Sequence, residues 1–359
     1  MNKIWQKYLA FEWIKVFCLF IGCFYFLYVL IDYSVHTKEF QNNAITLFHL
    51  VAYYGCQFTK RADILIPIAS LISTVKVLTT SNLRGEIVAL ATGGLSLKKI
   101  MTPLLVTALF CSAFLYFNFQ YLQPFCLTQI STFEENFFKA KANGKAGKPV
   151  HALTLEDNTL LIYRQYDSQL MAFVDAYWIK NHDSLFRIQQ LFPYAKTPHG
   201  IYVDSLERSL QGEMIKTASY ETMTFPHMHF DSKTLFNAAH PPRMQSMTQL
   251  ARSLSWKQMS LAKLNDREAE TATHFYYKLL APLVCLLAVI GPAPFCLRFT
   301  RTLPVFFIYA FGLFGMIAFY TLMNASIVLG ESQIFPPLIA ILLPQTTFFL
   351  ILGIKYAKL

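Results

Sequence analysis

Leu83–Lys99 reads LRGEIVALATGGLSLKK, a short semi-polar interval between two long apolar runs. Glu86 to Ala91 contains neither Pro nor Gly and holds strong helix formers in Glu86, Ala89, Leu90 and Ala91. Gly93 and Gly94 end that pattern, and Lys98 and Lys99 open the next element. The pattern predicts a helix within residues 83–94, about two to three turns long. Leu83, Ile87, Leu90 and Ala91 recur at i, i+4, i+7 and i+8, which makes an apolar stripe able to lie on another surface with Glu86 beside it. From spacing alone the plainer reading is an interfacial turn with a solvated Glu86, because a motif without its context is only a hypothesis.

The runs on either side decide the class. Apolar residues make up 54% of the 359, charged residues 14%, and the mean hydropathy is +0.37, a composition outside that of ordinary soluble domains. The expected fold is a mainly α membrane protein in which three spans, an inserted β domain and three further spans follow one another. The formal charge of +10 is not a nucleic-acid signal: residues 124–270 hold 16 Lys and Arg against 15 Asp and Glu, which leaves 15 against 6 in the apolar remainder. An excess confined to membrane loops speaks of orientation.

Upstream of the interval, Val16–Ile31 is the first apolar run. Phe20-Ile21-Gly22-Cys23 resembles a lipoprotein cleavage box, but the run continues for eight residues past Cys23 and no small-x-small site follows, so an uncleaved span is expected. Leu47–Thr59 is an apolar segment with a wet end, and Ile64–Leu78 is the second span, kinked by Pro67 or starting just before it. Downstream, Ile100–Leu122 is a third span, closed by Gln123-Pro124. The domains expected are thus 1–123, 124–270 and 271–359.

Residues 124–270 change character. Ser131–Ala142 and Met247–Leu264 read as helical. Thr159–Tyr166, Leu170–Lys180, Ser184–Phe192, Gly200–Arg208 and Ile215–Phe225 are β-branched or aromatic runs divided by turn residues. Strands at that spacing predict an antiparallel sandwich or jelly roll. No cysteine lies between Leu127 and Val284, so the domain must rest on its own core, which 147 residues can supply.

Thr273–Cys296, Leu303–Val328 and Pro336–Tyr356 complete six spans. With a cytosolic amino terminus, the inner segments hold Lys3, Lys7, Arg84, Lys98, Lys99, Arg298, Arg301, Lys355 and Lys358, against Lys38, Lys60 and Arg61 in short outer loops. Nine against three places both termini and 83–99 in the cytoplasm and 124–270 outside.

The search for chemistry returns mostly negatives. There is no G-x-x-x-x-G-K-[ST], H-E-x-x-H or C-x-x-C, and Gly94-Leu95-Ser96-Leu97 is no nucleophile elbow. His227, His229 and His240 lie close together without Cys or a paired carboxylate, so no metal site is assigned. Asp32, near the outer end of the first span, is expected to snorkel to the interface. No cofactor, catalytic residue or nucleic-acid partner is expected.

Ile64-Leu-Ile-Pro67, Gly85-Glu86-Ile-Val-Ala-Leu90 and Gly94-Leu-Ser96 before a basic span start resemble the signature of the LptF/LptG family of lipopolysaccharide permeases. Met247-Thr-Gln-Leu250, Ala281-Pro282 and Gly291-Pro292-Ala-Pro294 agree in order, so the resemblance covers nearly the whole chain. It implies an ABC-type permease subunit of the bacterial inner membrane, paired with a second LptF/LptG-type permease. An LptB-type ATPase dimer uses the ATP, and lipopolysaccharide passes through a periplasmic jelly roll to an LptC/LptA-type bridge. It also implies that Leu83, Arg84, Glu86, Ile87, Leu90 and Gly94 couple to the ATPase. Candidates for the lipid path are Lys38 and the span aromatics Phe24, Phe307 and Phe311. The chain departs from the family in Ala91, where Arg is usual, in His274 and Lys278, where a basic cluster often opens the fourth span, and in Ile201-Tyr202, where Trp is common. The rival of another class is a membrane-anchored assembly adaptor whose outer domain binds a partner protein. An intramembrane enzyme would need a buried catalytic pair, which the sequence does not offer.

Overall fold

The computed structural model describes residues 3–42, 45–134, 151–155, 159–167, 170–181, 184–194, 197–208, 214–226, 228, 230, 241–254, 266–297 and 304–358. The chain divides into two compact units, Met1–Lys141 with Met244–Leu359, and Ala142–Arg243.

The first unit is helical. Among the described residues six helices are long and apolar enough to cross a membrane: Ile4–Thr37, Leu47–Leu83, Leu97–Phe133, Glu268–Leu297, Val305–Glu331 and Pro337–Ala357. Here α1 (Ile4–Asn42) runs without a break. The second span is longer than expected, because α2 (Leu47–Leu83) absorbs the wet segment 47–59 and continues past Pro67 as one helix. Proline leaves the carbonyl four residues back without a helical donor. That carbonyl, of Asp63, instead accepts the Tyr320 hydroxyl at 2.9 Å. Buried Ser70, Ser73 and Thr74 return their hydroxyls to the carbonyls of Ile66, Ala69 and Ser70 at 2.6–2.8 Å, which satisfies them inside an apolar bundle.

α3 (Glu86–Thr92) follows, then α4 (Leu97–Phe117). The third span does not close at Gln123-Pro124. It widens into a π turn at Asn118–Leu122 and continues as α5 (Gln123–Phe133), with Pro124 in the turn that follows the widening. The fourth span is broken into α7 (Asp266–Leu280), a 3₁₀ turn at Ala281–Leu283, α8 (Val284–Ile290) and α9 (Ala293–Leu297). Neighbouring side chains meet its carbonyls: Tyr116 donates to Leu279 at 2.7 Å, Gln345 to Leu280 at 2.8 Å, Ser112 to Pro282 at 2.8 Å and Asn82 to Cys296 at 3.1 Å. Irregular backbone is tolerable at membrane depth only when its polar groups are met within the protein. α10 (Val305–Glu331) and α11 (Pro337–Ala357) complete the bundle, whose core holds fully buried Val75, Leu78, Ile100, Met101, Leu104, Ala288 and Val289.

Where the chain re-enters the first unit, α6 (Met247–Ser253) opens on a capping box in which Ser246 Oγ accepts the Gln249 N–H and Gln249 Oε1 accepts the Ser246 N–H. The rest of the helix expected to Leu264, and most of the one expected over 131–142, lie outside the described residues.

The second unit is a six-stranded antiparallel sheet in sequence order: β1 (His151–Thr154), β2 (Leu160–Asp167), β3 (Ala172–Asn181), β4 (Ser184–Phe192), β5 (His199–Arg208) and β6 (Met214–Thr224). The described strands form a meander, without the crossovers of a jelly roll, because connections of a few residues reach only the adjacent strand. Register places Leu161, Trp178, Phe186, Ser205 and Ala218 in one row across β2–β6. Tyr163, Ala176, Ile188, Val203 and Tyr220 form the next, and Tyr166, Phe173, Leu191, Gly200 and Met223 a third. These rows carry the buried core, which Phe225 and Met228 extend. The first two rows are two residues apart along each strand, the last two three apart. The extra residue falls at Asp175 in β3 and Tyr202 in β5, both at positive φ, 53° and 52°. A period of two with one added residue turns the sheet's facing, so a crease crosses it and the inward parity changes on either side.

Candidate coupling site and lipid-facing surfaces

The interval 83–99 is built by two left-handed glycines. Gly85 (φ 74°) ends α2, its N–H donating to the Asn82 carbonyl at 3.0 Å, so Leu83 belongs to α2 and the expected helix over 83–94 is shortened to Glu86–Thr92. Gly94 (φ 88°) closes α3: its N–H donates to Ala91 and the Leu95 N–H to Leu90, at 3.0 and 3.2 Å, the paired bonds of a Schellman end. Leu90 and Leu95 both pack on the bundle core, the apolar contact that accompanies this motif.

With α2 and α3 meeting at a corner, the four apolar residues do not share a face. Ile87 is 3% exposed and packs in the core with Leu90 against it, whereas Leu83 is 82% exposed and Ala91 also faces outward. The free face therefore consists of Leu83, Val88 and Ala91 rather than the stripe expected. Glu86 sits beside it. Its Oε1 accepts the Tyr8 hydroxyl at 3.3 Å, and Arg84 Nη1 lies 3.3 Å from that hydroxyl and 3.7 Å from Oε1. Glu86 Oε2 is buried and, among the described residues, has no hydrogen-bond partner. An orphaned carboxylate oxygen asks for an explanation in a native structure. Tyr8 escaped sequence reasoning because it lies 78 residues away and carries no spacing signal.

The lipid-path candidates separate. In the first span's most apolar window no residue is buried and in the fifth's only 11% are, against 72% in the second's. Phe24 lies on that exposed first helix, stacked on Phe20 at 5.8 Å. Phe307 and Phe311 stack at 6.3 Å on α10 and line a cavity of their own. Lys38 is in the late turns of α1, its side chain outside the described structure. Asp32 accepts the Tyr28 and Tyr54 hydroxyls at 3.1 and 3.2 Å, with His36 Nδ1 3.8 Å away. The two basic residues of the fourth span are turned inward, His274 to Glu331 at 3.2 Å and Lys278 to the Gln245 carbonyl at 2.7 Å. His227, His229 and His240 lie outside the described residues.

Compared with protein-family models, the chain matches over residues 7–358 the one described as lipopolysaccharide export system permease LptF/LptG. No individually curated protein matches it.

Proposed function

Since the chain belongs to the LptF/LptG family of lipopolysaccharide export permeases, we propose that it is one of two permease subunits of an ABC-type exporter. On this reading it draws lipopolysaccharide from the outer leaflet of the bacterial inner membrane, and a separate LptB-type ATPase dimer drives it from the cytoplasmic side. The β unit, facing the periplasm, passes the lipid to an LptC/LptA-type bridge. Taking a multi-chain lipid out of a bilayer costs about 0.8 kcal/mol per methylene, tens of kcal/mol for the molecule, so an energy source is required. The chain has no phosphate-cradling G-x-x-x-x-G-K-[ST] sequence, which fits an ATPase on another chain.

The observation that carries the reading is α3, held by Ile87 and Leu90, with Leu83 and Val88 exposed and the Glu86 side chain, still 31% exposed, beside them. A cationic side chain from the ATPase would meet the exposed part of that carboxylate as a charge-assisted pair. The exposed first and fifth spans support a second permease as their cover.

Removing one partner of a desolvated charge pair costs about 2–5 kcal/mol. Glu86→Ala should therefore abolish both co-purification with the ATPase and complementation of lipopolysaccharide export, at normal membrane abundance, with Glu86→Asp in between. A solvated surface glutamate would change stability or binding by only about 0.5 kcal/mol. Full function of Glu86→Ala at normal abundance would remove the coupling role and favour the adaptor.

A further inference from the structure

A cavity of about 490 Å³ lies between α2, the fourth span, α10 and α11. Leu71, Leu287, Phe311 and Phe348 represent its apolar wall, and Lys355 is the one charged residue among the described residues that line it. Its volume falls in the range of about 300–1,000 Å³ common for sites that enclose small ligands. Lys355 stands at one end, its Nζ 4.9 Å from the centroid of Phe295. That is the end of the bundle carrying 83–99, because Lys98 Nζ donates to the Ala357 carbonyl at 2.9 Å.

The depth is informative. Along α10 the lining runs from Phe307 to Phe319, a rise of about 18 Å at 1.5 Å per residue. One leaflet contributes about 15 Å of hydrocarbon, half of a bilayer core. The cavity is therefore about one leaflet deep, apolar along its length and cationic at the Lys355 end. Glycine keeps it wide: a Cβ on Gly315 would meet nothing within 4 Å, so a larger side chain there would grow into the cavity.

We propose that this cavity binds an acyl chain of an anionic phospholipid from the leaflet on the Lys355 side, with the Lys355 ammonium paired to a head-group phosphate whose charge no ammonium of the lipid itself cancels. An apolar wall gives a chain little advantage over the surrounding bilayer, since lipid tails are equally apolar. Selection must come from the head group, and the Lys355 end offers a single point charge suited to phosphate. On the orientation proposed above this is the cytosolic leaflet, opposite the one that supplies lipopolysaccharide. The bound lipid is then a resident of the fold and not its cargo, and Phe307 and Phe311 serve it rather than the export path.

The test is photolabelling of the full-length protein in nanodiscs, using phosphatidylglycerol or phosphatidylcholine with identical diazirine-bearing chains and mapping the labelled peptides. Phosphatidylglycerol should label peptides containing Phe311, Gly315 and Leu352 about fivefold more than phosphatidylcholine, the scale of one charge-assisted contact. Lys355→Gln should erase that preference, and Gly315→Leu should lower labelling of these peptides while the other spans keep theirs. Lys355 lies at one end of the cavity, so its variant tests the head group even where Gly315→Leu fails to accumulate. Equal labelling by both lipids in the unsubstituted protein overturns the proposal, as does labelling spread evenly over all six spans. The readout involves no transport, so its failure is separate from a failure of the exporter reading.

Discussion

The Tyr320 hydroxyl donates at 2.9 Å to the carbonyl of Asp63, the acceptor that Pro67 deprives of its own helical donor. The bond joins the fifth span to the second at the turn that Pro67 leaves one helical hydrogen bond short. Tyr320→Phe should destabilise the protein by about 0.5–1.5 kcal/mol, the net worth of an ordinary hydrogen bond. Graded SDS unfolding in mild detergent measures it. In a Pro67→Ala background, where residue 67 regains its N–H, the same substitution should cost much less. Equal losses in both backgrounds would show that Tyr320 acts through packing alone.

Orientation is open to direct chemistry. In a cysteine-free background, an impermeant maleimide applied to spheroplasts should label Tyr194→Cys in the β unit and spare Leu83→Cys until the membrane is opened. Both positions are exposed, so a missing signal reports the side of the membrane and not burial. Labelling of Leu83→Cys from outside would invert the scheme.

The crease in the sheet makes a specific prediction about where lipid touches the β unit. Photo-crosslinking residues at Leu161, Tyr163 and Tyr166 in β2, and at Trp178, Ala176 and Phe173 in β3, should capture acyl chains, because all six face inward. The spacing within each set is two and then three. Capture that kept a strict alternation through Arg164 and Asp175 would mean the crease flattens when lipid binds. Equal capture on both faces would favour an adaptor.

In β5, Asp204 Oδ1 accepts from Lys216 Nζ and from Ser219 Oγ, both at 2.6 Å. The Lys216 bond above all, then Ser219, holds the carboxyl below its ordinary value of 3.8. Because the folded state binds this proton less readily than the unfolded chain, the contribution is complete above that ordinary value. It disappears as pH falls through the lowered one. The pair is solvent-exposed, so the effect is small. Asp204→Asn should lower stability slightly at neutral pH and leave it unchanged in strong acid; a deficit that persists in acid would rule out the ionic account.

Six spans and an inserted antiparallel β unit were legible in the sequence because long apolar runs and β-branched alternation are local signals. What escaped it depends on distance or on a single dihedral. Gly85 looks like any glycine inside a helical pattern, yet its φ of 74° ends α2 and moves Leu83 off the face shared by Ile87 and Leu90. The prolines of the fourth span announce a break, but Ser112, Tyr116 and Gln345, which make it tolerable, stand 65 to 170 residues away. The uninterrupted course through Pro67 has the same cause, 257 residues separating Tyr320 from Asp63. A simple period of two holds on each side of Asp175 and not across it, and nothing in an aspartate and a tyrosine marks a left-handed backbone.

The two corners that bound α3 have a mechanical meaning. Residues 84–85 and 93–96 are all the chain between this seven-residue helix and its long neighbours, and both connections are hydrogen-bonded back onto the preceding helix. There is no slack in them to stretch. A load applied to α3 is therefore delivered to α2 and α4 together, with little of the stroke lost to compliance at the joints. Because α2 is the most enclosed of the six long helices, it cannot yield to that load alone; the bundle around it has to move as well.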